Sequence, residues 1–116
     1  MLKDEVVLIL KNEFNFNSRE IKLLDIFVNI LLKYNNNYNL IAQSTVKNLW
    51  ERHILDSAQL IKYINFKSPG IINDLGSGAG FPGIVLSIYN KNVRFHVKLY
   101  EKSPVKCIFL NKVIKI

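Results

Sequence analysis

The sequence contains a single cysteine, Cys107, and only two histidines among 116 residues. One cysteine cannot form an intramolecular disulfide, and Cys-rich zinc sites need several such ligands. No second histidine lies close enough in sequence to His53 to suggest a metal-binding pair. We therefore predict no disulfide framework and no metal centre, and we expect a reducing compartment, the cytoplasm.

Long apolar runs are also missing from the sequence. None approaches the roughly 18–20 residues that a membrane-spanning helix needs. Asp4 and Glu5 interrupt the amino-terminal apolar stretch, and no small-residue cleavage site follows, so we predict no secretory signal peptide. No internal repeat is visible, and the length suits about one domain.

Positive charge is concentrated in the second part of the chain. The formal net charge is +7, and residues 67–116 hold eight Lys or Arg against two Asp or Glu. This balance suggests an anionic partner such as RNA. A Lys- and Asn-rich composition without any target explains it equally well, because there is no dense basic cluster. Lys98, Lys102 and Lys106 are candidates for phosphate contacts, although a solvated face is the simpler explanation.

The first 68 residues carry helical patterns. Apolar residues at helical spacing predict helices over 2–14 and 19–34. A third helical region is predicted over 46–65, with a break around 52–57 where the pattern becomes irregular. The predicted N-caps are Ser18 for the second helix and Ser44 or Thr45 for the third.

The pattern changes after residue 68. Strands are predicted over 71–75 and 93–100, separated by a helix over 82–89 and followed by a helix that begins at Pro104. The fold class is therefore α/β, in which N-terminal helices precede the first βαβα of a Rossmann-like sheet with parallel strands.

We assign residues 1–68 to the helical segment and 69–116 to the start of the α/β domain. Two parallel strands rarely stand alone. The sequence ends where a third strand should begin, so we expect an incomplete, truncated sheet.

The most informative segment is the glycine-rich run Asp74-Leu75-Gly76-Ser77-Gly78-Ala79-Gly80-Phe81-Pro82-Gly83, which joins the first predicted strand to a helix. Its last three glycines match the dinucleotide pattern G-x-G-x-x-G, with Glu101 as the acid for a ribose. Alternatively, Asp74 with Gly76, Gly78 and Gly80 matches the loop of S-adenosylmethionine enzymes. A tight turn without a ligand is the third possibility.

The residues that flank the glycines favour S-adenosylmethionine. A pyrophosphate needs free N–H groups at a helix start, whereas Asp74 adds a negative charge there and Pro82 removes an N–H. The sulfonium and ammonium of S-adenosylmethionine are positive and suit an acidic strand end. Glu101 ends the second strand, where its carboxylate can accept hydrogen bonds from both ribose hydroxyls. Phe81 either covers the ligand or packs in the core.

A second polar cluster lies in the break of the third helical region. Arg52 and Asp56 are spaced to form an i,i+4 ion pair, and His53 and Ser57 share a face in the same way. Arg52 and His53 are therefore candidates for contacts with the cofactor or RNA. A helix cap and ion pair that join the helices to the sheet are the competing interpretation.

The glycine-rich run with its Phe81-Pro82-Gly83 extension resembles the loop of the small-subunit ribosomal RNA methyltransferase G family, also called glucose-inhibited division protein B. The segments Tyr38-Asn39-Leu40 and Arg52-His53-Ile54-Leu55-Asp56-Ser57 resemble that family's helical region. The resemblance extends from about residue 20. Tyr34 stands where the family often has Trp, and family members continue through several more strands.

The resemblance implies a class I methyltransferase fold and methyl transfer from S-adenosylmethionine to N7 of a guanine in small-subunit ribosomal RNA. By position, Gly76 and Phe81 match cofactor contacts, and Asp74, Gly78, Gly80 and Glu101 match the rest of the cofactor site. N7 carries an available lone pair, so no catalytic base is expected. The alternatives are a non-catalytic fragment that binds RNA or a partner and, less well supported, an NAD-binding protein.

Overall fold

The computed structural model describes all 116 residues, with helices first and a two-stranded sheet after them. The helices of the first part are α1 (Lys3–Glu13), α2 (Ser18–Asn35) and α3 (Gln43–Val46), followed by a π-helical segment (Trp50–Leu55), α4 (Asp56–Ala58) and a 3₁₀ segment (Gln59–Tyr63). The second part comprises β1 (Gly70–Leu75), α5 (Gly83–Tyr89), β2 (Phe95–Tyr100) and α6 (Pro104–Ile114).

The start of α2 is fixed by a reciprocal cap. The Asn17 side chain accepts a hydrogen bond from the Glu20 N–H at 2.8 Å, and Glu20 Oε1 accepts one from the Asn17 N–H at 2.8 Å. The predicted N-cap, Ser18, is therefore wrong by one residue. An Asn side chain one position earlier satisfies the same orphan N–H groups, and the sequence alone did not separate the two.

The predicted helix over 46–65 is broken, as expected around 52–57, but its form differs from the prediction. It begins earlier, at Gln43, after Ala42, which offers no side-chain cap. The predicted caps Ser44 and Thr45 are therefore wrong. From Trp50 to Leu55 the backbone adopts the wider π winding, which shifts each following side chain around the helix axis.

The βαβα order predicted for the second part is confirmed. β1 and β2 are parallel, with a register that runs from Gly70 opposite Phe95 to Leu75 opposite Tyr100. β2 begins at Phe95, two residues later than predicted, because Asn92 forms a turn that includes Arg94. α6 begins as predicted, with Pro104 first and the Ser103 side chain as its cap.

One hydrophobic core joins the helices to one face of the sheet. α2 packs against both α5 and α6, and α5 packs against β2. The strand residues that point toward these helices are buried or half-buried, whereas their alternating neighbours are exposed. None of the helices combines the length and the hydrophobicity that a membrane span requires. The completely buried large side chains of the core are Val6, Leu10, Leu24, Phe27, Leu31, Ile54, Val85, Leu86 and Phe109.

Candidate functional site

The glycine loop lies between the end of β1 and the start of α5, at the carboxyl edge of the sheet. Gly76, Gly78 and Gly80 have φ values of 70°, 56° and 96°, in the left-handed region that favours glycine. The N–H groups of Gly76 and Ser77 both donate to the Tyr100 carbonyl, at 2.8 and 3.0 Å. The loop is thus held at the end of the neighbouring strand.

The glycines of the loop have different steric surroundings. A Cβ added at Gly76 meets nothing within 4 Å, and one at Gly78 meets only the Gly76 carbonyl at 3.9 Å. A Cβ at Gly80 would lie 2.5 Å from Ile84 Cγ1, and one at Gly83 would overlap Leu99. Gly80 and Gly83 are therefore required for packing, whereas Gly76 and Gly78 present open backbone that a ligand can approach.

Glu101 ties this open backbone to the end of β2. Its Oε1 accepts a hydrogen bond from the Gly78 N–H at 2.8 Å, and its Oε2 accepts one from the Ser103 N–H at 2.9 Å. These N–H groups, Ser103 first and Gly78 second, lower the pKa of Glu101. Glu101 is therefore a carboxylate at neutral pH, and each oxygen keeps a lone pair for a further donor.

Asp74 occupies the last inward-facing position of β1 and faces the start of α5. Its Oδ2 accepts a hydrogen bond from the Gly83 N–H at 3.1 Å. Burial raises the pKa of Asp74, and the bond from Gly83 partly opposes that shift. Pro82 immediately precedes α5 instead of occupying its first position. The carboxylate thus caps the N–H that follows Pro82, in addition to placing negative charge beside the loop.

Ser77 is a structural residue of the site that the sequence interpretation missed. Its side chain is buried, and its Oγ donates to the Asp74 carbonyl at 2.9 Å and accepts from the Tyr100 N–H at 3.1 Å. The available signal was a small hydroxyl residue between the first two glycines of the loop. Ser77 bridges the ends of the two strands from within the loop.

Phe81 brings the second polar cluster to the glycine loop. Its ring stacks on the His53 ring, with centroids 4.9 Å apart and 21° between the planes, and it also contacts Phe27 at 5.3 Å. The residues that line a cleft beside the loop include Asp56, Ser57, Phe81 and Pro82. Phe81 therefore packs on the helical core, and two segments that are distant in sequence meet at its ring.

The hydrogen bonds around His53 define its tautomer. Thr45 Oγ1 uses its single proton to donate to the Ala42 carbonyl at 2.8 Å. The His53 Nε2 atom lies 2.9 Å from the same Oγ1, so Nε2 must carry the proton and donate. Burial, and secondarily the charge of Arg52, lowers the pKa of His53 below 6.5, while Asp56 opposes that shift. The imidazole is neutral at pH 7.

We predict that His53 makes the folding stability depend on pH. A histidine with a lowered pKa binds fewer protons in the folded state, so stability falls as pH drops through 6.5 and levels off below the lowered value. The free energy of unfolding is measured with urea at pH 7.5 and at pH 5. It should decrease less between these two pH values in His53→Gln than in the wild type. An identical loss in both proteins would contradict this role of His53.

The predicted ion pair between Arg52 and Asp56 is absent. The three ion pairs of the structure join Lys3 to Asp25, Lys91 to Glu20 and the amino terminus to Glu51. Arg52 and Asp56 are both exposed, so water solvates each charge and an ion pair between them would gain little free energy. Arg52 is exposed instead, close in sequence to the residues that line the cleft.

A comparison with known protein families identifies the chain. The family model described as rRNA small subunit methyltransferase G matches residues 20–116. The chain belongs to this family. The match includes both the glycine loop and the segment of Arg52 and His53, which the structure brings together at Phe81.

Curated members of the methyltransferase G family are similar to the chain over most of its length. The ribosomal RNA small subunit methyltransferase G of Rickettsia prowazekii is 52% identical over 99 residues, which is 85% of this chain and 50% of the relative. The proteins of Rickettsia typhi and Rickettsia bellii are 50% and 49% identical over 85% and 83% of this chain. The chain thus spans about half the length of these relatives.

The charged residues of the site fit a cationic ligand. No group of three His, Cys, Asp or Glu side chains is arranged to hold a metal. Two carboxylates, Asp74 and Glu101, stand at the carboxyl ends of adjacent parallel strands. Asp74 faces the start of α5, and Glu101 accepts a hydrogen bond from Gly78, whose backbone is open like that of Gly76. This arrangement offers negative charge and hydrogen-bond acceptors at the edge of the sheet where α/β proteins bind ligands.

Proposed function

We propose that the chain carries the S-adenosylmethionine-binding part of a methyltransferase that acts on N7 of a guanine in small-subunit ribosomal RNA. The observation that carries the proposal is the open backbone at Gly76, where even a Cβ has free space, at the sheet edge that also holds Asp74 and Glu101. Membership of the methyltransferase G family supports the reaction class and the RNA substrate.

The proposed cofactor contacts follow from the groups that the loop leaves available. Glu101 would accept hydrogen bonds from the ribose hydroxyls, using the lone pairs that the Gly78 and Ser103 N–H groups leave free. Gly76 and Gly78 would let the cofactor lie against the backbone, and Gly80 holds the turn in place. The Asp74 charge would attract the cationic groups of the ligand. The backbone of Phe81 would contact the cofactor, because its ring is already packed.

When bound, S-adenosylmethionine supplies a methyl group on a positively charged sulfur. A nucleophile can attack this methyl group, and the sulfur then leaves as a neutral thioether. Guanine N7 carries its own lone pair, so the protein needs to orient the base and need not remove a proton. Arg52 is exposed and forms no ion pair, which leaves its guanidinium available for RNA phosphate or base edges. His53 would contact the RNA or the cofactor beside Arg52, because its ring is stacked on Phe81 at the glycine loop.

The direct test is isothermal titration calorimetry with S-adenosylmethionine, S-adenosylhomocysteine and NAD. We expect both adenosyl ligands to bind and NAD to give no heat. Gly76→Val fills the open space at the loop and also strains the backbone at a φ of 70°, so it should weaken binding at least tenfold; the circular dichroism spectrum shows whether the helices remain folded.

Three results would contradict the proposal. NAD binding without S-adenosylhomocysteine binding would assign the loop to a dinucleotide. Unchanged affinity in Gly76→Val would place the cofactor elsewhere. The absence of any binding would favour the alternative of a non-catalytic fragment.

A further inference from the structure

The cleft beside the glycine loop combines an aromatic ring with a free carboxylate. Its lining comes from α4, the 3₁₀ segment and the residues just before α5, and includes Asp56, Tyr63, Phe81 and Pro82. Its volume of about 320 Å³ lies within the range of sites for small organic ligands, roughly 300–1,000 Å³. The cleft is therefore large enough to take one nucleobase.

Tyr63 presents its ring to solvent at the wall of this cleft. It is 86% exposed, against 48% for Tyr100 and 44% for Tyr38. Tyrosine is usually part-buried, because most of its ring is apolar. An exposed aromatic ring is the kind of surface on which unpaired RNA bases stack. Tyr63 therefore offers a stacking surface to a base that enters the cleft.

Asp56 gives the cleft a negative charge that no cation of the protein pairs with. Its side chain is exposed and takes no part in the three ion pairs of the structure. A carboxylate repels phosphate and only accepts hydrogen bonds, so the group that fits beside it is a base with N–H donors and not the RNA backbone.

The pattern of donors on the four RNA bases indicates which base fits a carboxylate. Guanine presents two adjacent donors on its Watson–Crick edge, N1–H and the N2 amino group, and the two oxygens of one carboxylate can accept both. In adenine, cytosine and uracil, each donor on that edge is flanked by an acceptor, which a carboxylate repels. The free charge of Asp56 therefore favours guanine.

The same orientation leaves the reacting atom of guanine free. N7 lies on the Hoogsteen edge, away from N1–H and the N2 amino group, so a carboxylate on the Watson–Crick edge does not obstruct its lone pair. Phe81 and Pro82 belong both to the cleft and to the glycine-rich run. A base in the cleft is therefore held beside the proposed cofactor site.

We propose that this cleft is a guanine-binding subsite, in which the Asp56 carboxylate accepts hydrogen bonds from N1–H and the N2 amino group while the Tyr63 ring stacks on the base. The inference rests on the proposed function for the identity of the substrate, and it adds the residues that distinguish guanine from the other bases. Asp56 determines specificity and takes no proton from the base.

The test is fluorescence anisotropy of the full chain with labelled uridine heptamers whose central base is guanine, adenine or hypoxanthine, without cofactor. Hypoxanthine keeps N1–H and lacks the N2 amino group. We expect the guanine strand to bind about tenfold more tightly than each of the other two, on the scale of a hydrogen bond to a charged group. Equal affinity for the guanine and hypoxanthine strands would overturn the role of Asp56.

Asp56→Asn keeps the shape of the side chain but exchanges one acceptor oxygen for an amide donor. It should reduce the preference for guanine to about twofold or less, because the amide accepts only one of the two donors. Asp4→Asn is the matched control, since it neutralises an exposed acid on α1 and should keep the wild-type preference. A guanine preference that survives in Asp56→Asn would refute the subsite.

Tyr63→Ala removes the stacking surface and should weaken binding of all three strands about tenfold, whereas Tyr63→Phe keeps the ring and should bind like the wild type. Tyr38→Ala, which removes an exposed ring outside the cleft, should also leave the affinities unchanged. Circular dichroism shows that each variant is folded. Wild-type affinity in Tyr63→Ala would remove Tyr63 from the subsite.

The absence of any binding of the guanine strand by the folded chain would overturn the proposal as a whole. Calorimetry with S-adenosylhomocysteine is a separate measurement on the same protein. Guanine selectivity without adenosyl-ligand binding would reject the proposed methyl transfer and keep the subsite, whereas adenosyl-ligand binding without guanine selectivity would do the reverse.

Discussion

Gly80→Ala is expected to destabilise the folded chain by about 2–5 kcal/mol. The added methyl would lie 2.5 Å from Ile84 Cγ1 and 3.3 Å from Leu110 Cδ2. Ile84 is at the start of α5 and Leu110 is in α6, so the methyl would crowd both helices. Overpacking of this kind costs about 1–3 kcal/mol, and an L-residue at the φ of 96° adds about 1–2 kcal/mol. Urea unfolding followed by circular dichroism measures the loss, against a total stability of about 5–15 kcal/mol for a small domain.

Gly76→Ala is the matched control for this prediction. Its φ of 70° imposes the same kind of backbone strain, but its Cβ meets nothing within 4 Å. The expected loss is therefore the strain alone, about 1–2 kcal/mol. Equal losses in the two variants would show that the contact with Ile84 relaxes at little cost and that the distinction between packing and open glycines is wrong.

Glu101→Ala is expected to weaken S-adenosylhomocysteine binding roughly ten- to hundredfold, on the scale of losing charge-assisted hydrogen bonds. The substitution removes the proposed ribose acceptor and also the acceptors of the Gly78 and Ser103 N–H groups. Calorimetry measures the affinity, and hydrogen exchange measures the protection of those two amides. Both should decrease together, because one carboxylate performs both tasks.

The conservative and distant variants distinguish this role from a general loss of charge. Glu101→Gln keeps one neutral acceptor and should show an intermediate affinity. Glu5→Ala removes an exposed acid on α1 and should change neither quantity. The pKa of Glu101 is lowered in the folded chain, so its ionised carboxylate stabilises the fold at pH values above the usual glutamate range. This contribution to folding stability is lost only as the pH falls through the lowered pKa. Wild-type affinity in Glu101→Ala would refute the assignment.

Local patterns were sufficient to predict the sheet and the position of the loop. The change of period after residue 68 predicted β1, α5, β2 and α6 in the correct order, because each element has its own apolar spacing and turn residues. The predicted start of α6, Pro104, was correct to the residue. Asn17, in contrast, displaced the predicted cap Ser18, since both side chains satisfy the same rule.

The features that depend on distant residues could not be predicted in this way. The packing glycines of the loop are distinguished from the open ones by neighbours that are distant in sequence, such as Leu110 beside Gly80 and Leu99 beside Gly83. The stack of His53 on Phe81 joins residues that the fold alone brings together. Residue identity therefore predicted where the site lies, while tertiary packing determined what each residue does there.

The attachment of the glycine loop to β2 has a consequence for protein engineering. Gly76 and Ser77 donate to the Tyr100 carbonyl, Ser77 accepts from the Tyr100 N–H, and Gly78 donates to Glu101. The shape of the loop is thus templated by a strand that is not contiguous with it. Transplanting the ten-residue loop into another scaffold would carry the glycines without their template, so a working graft must include the end of β2 as well.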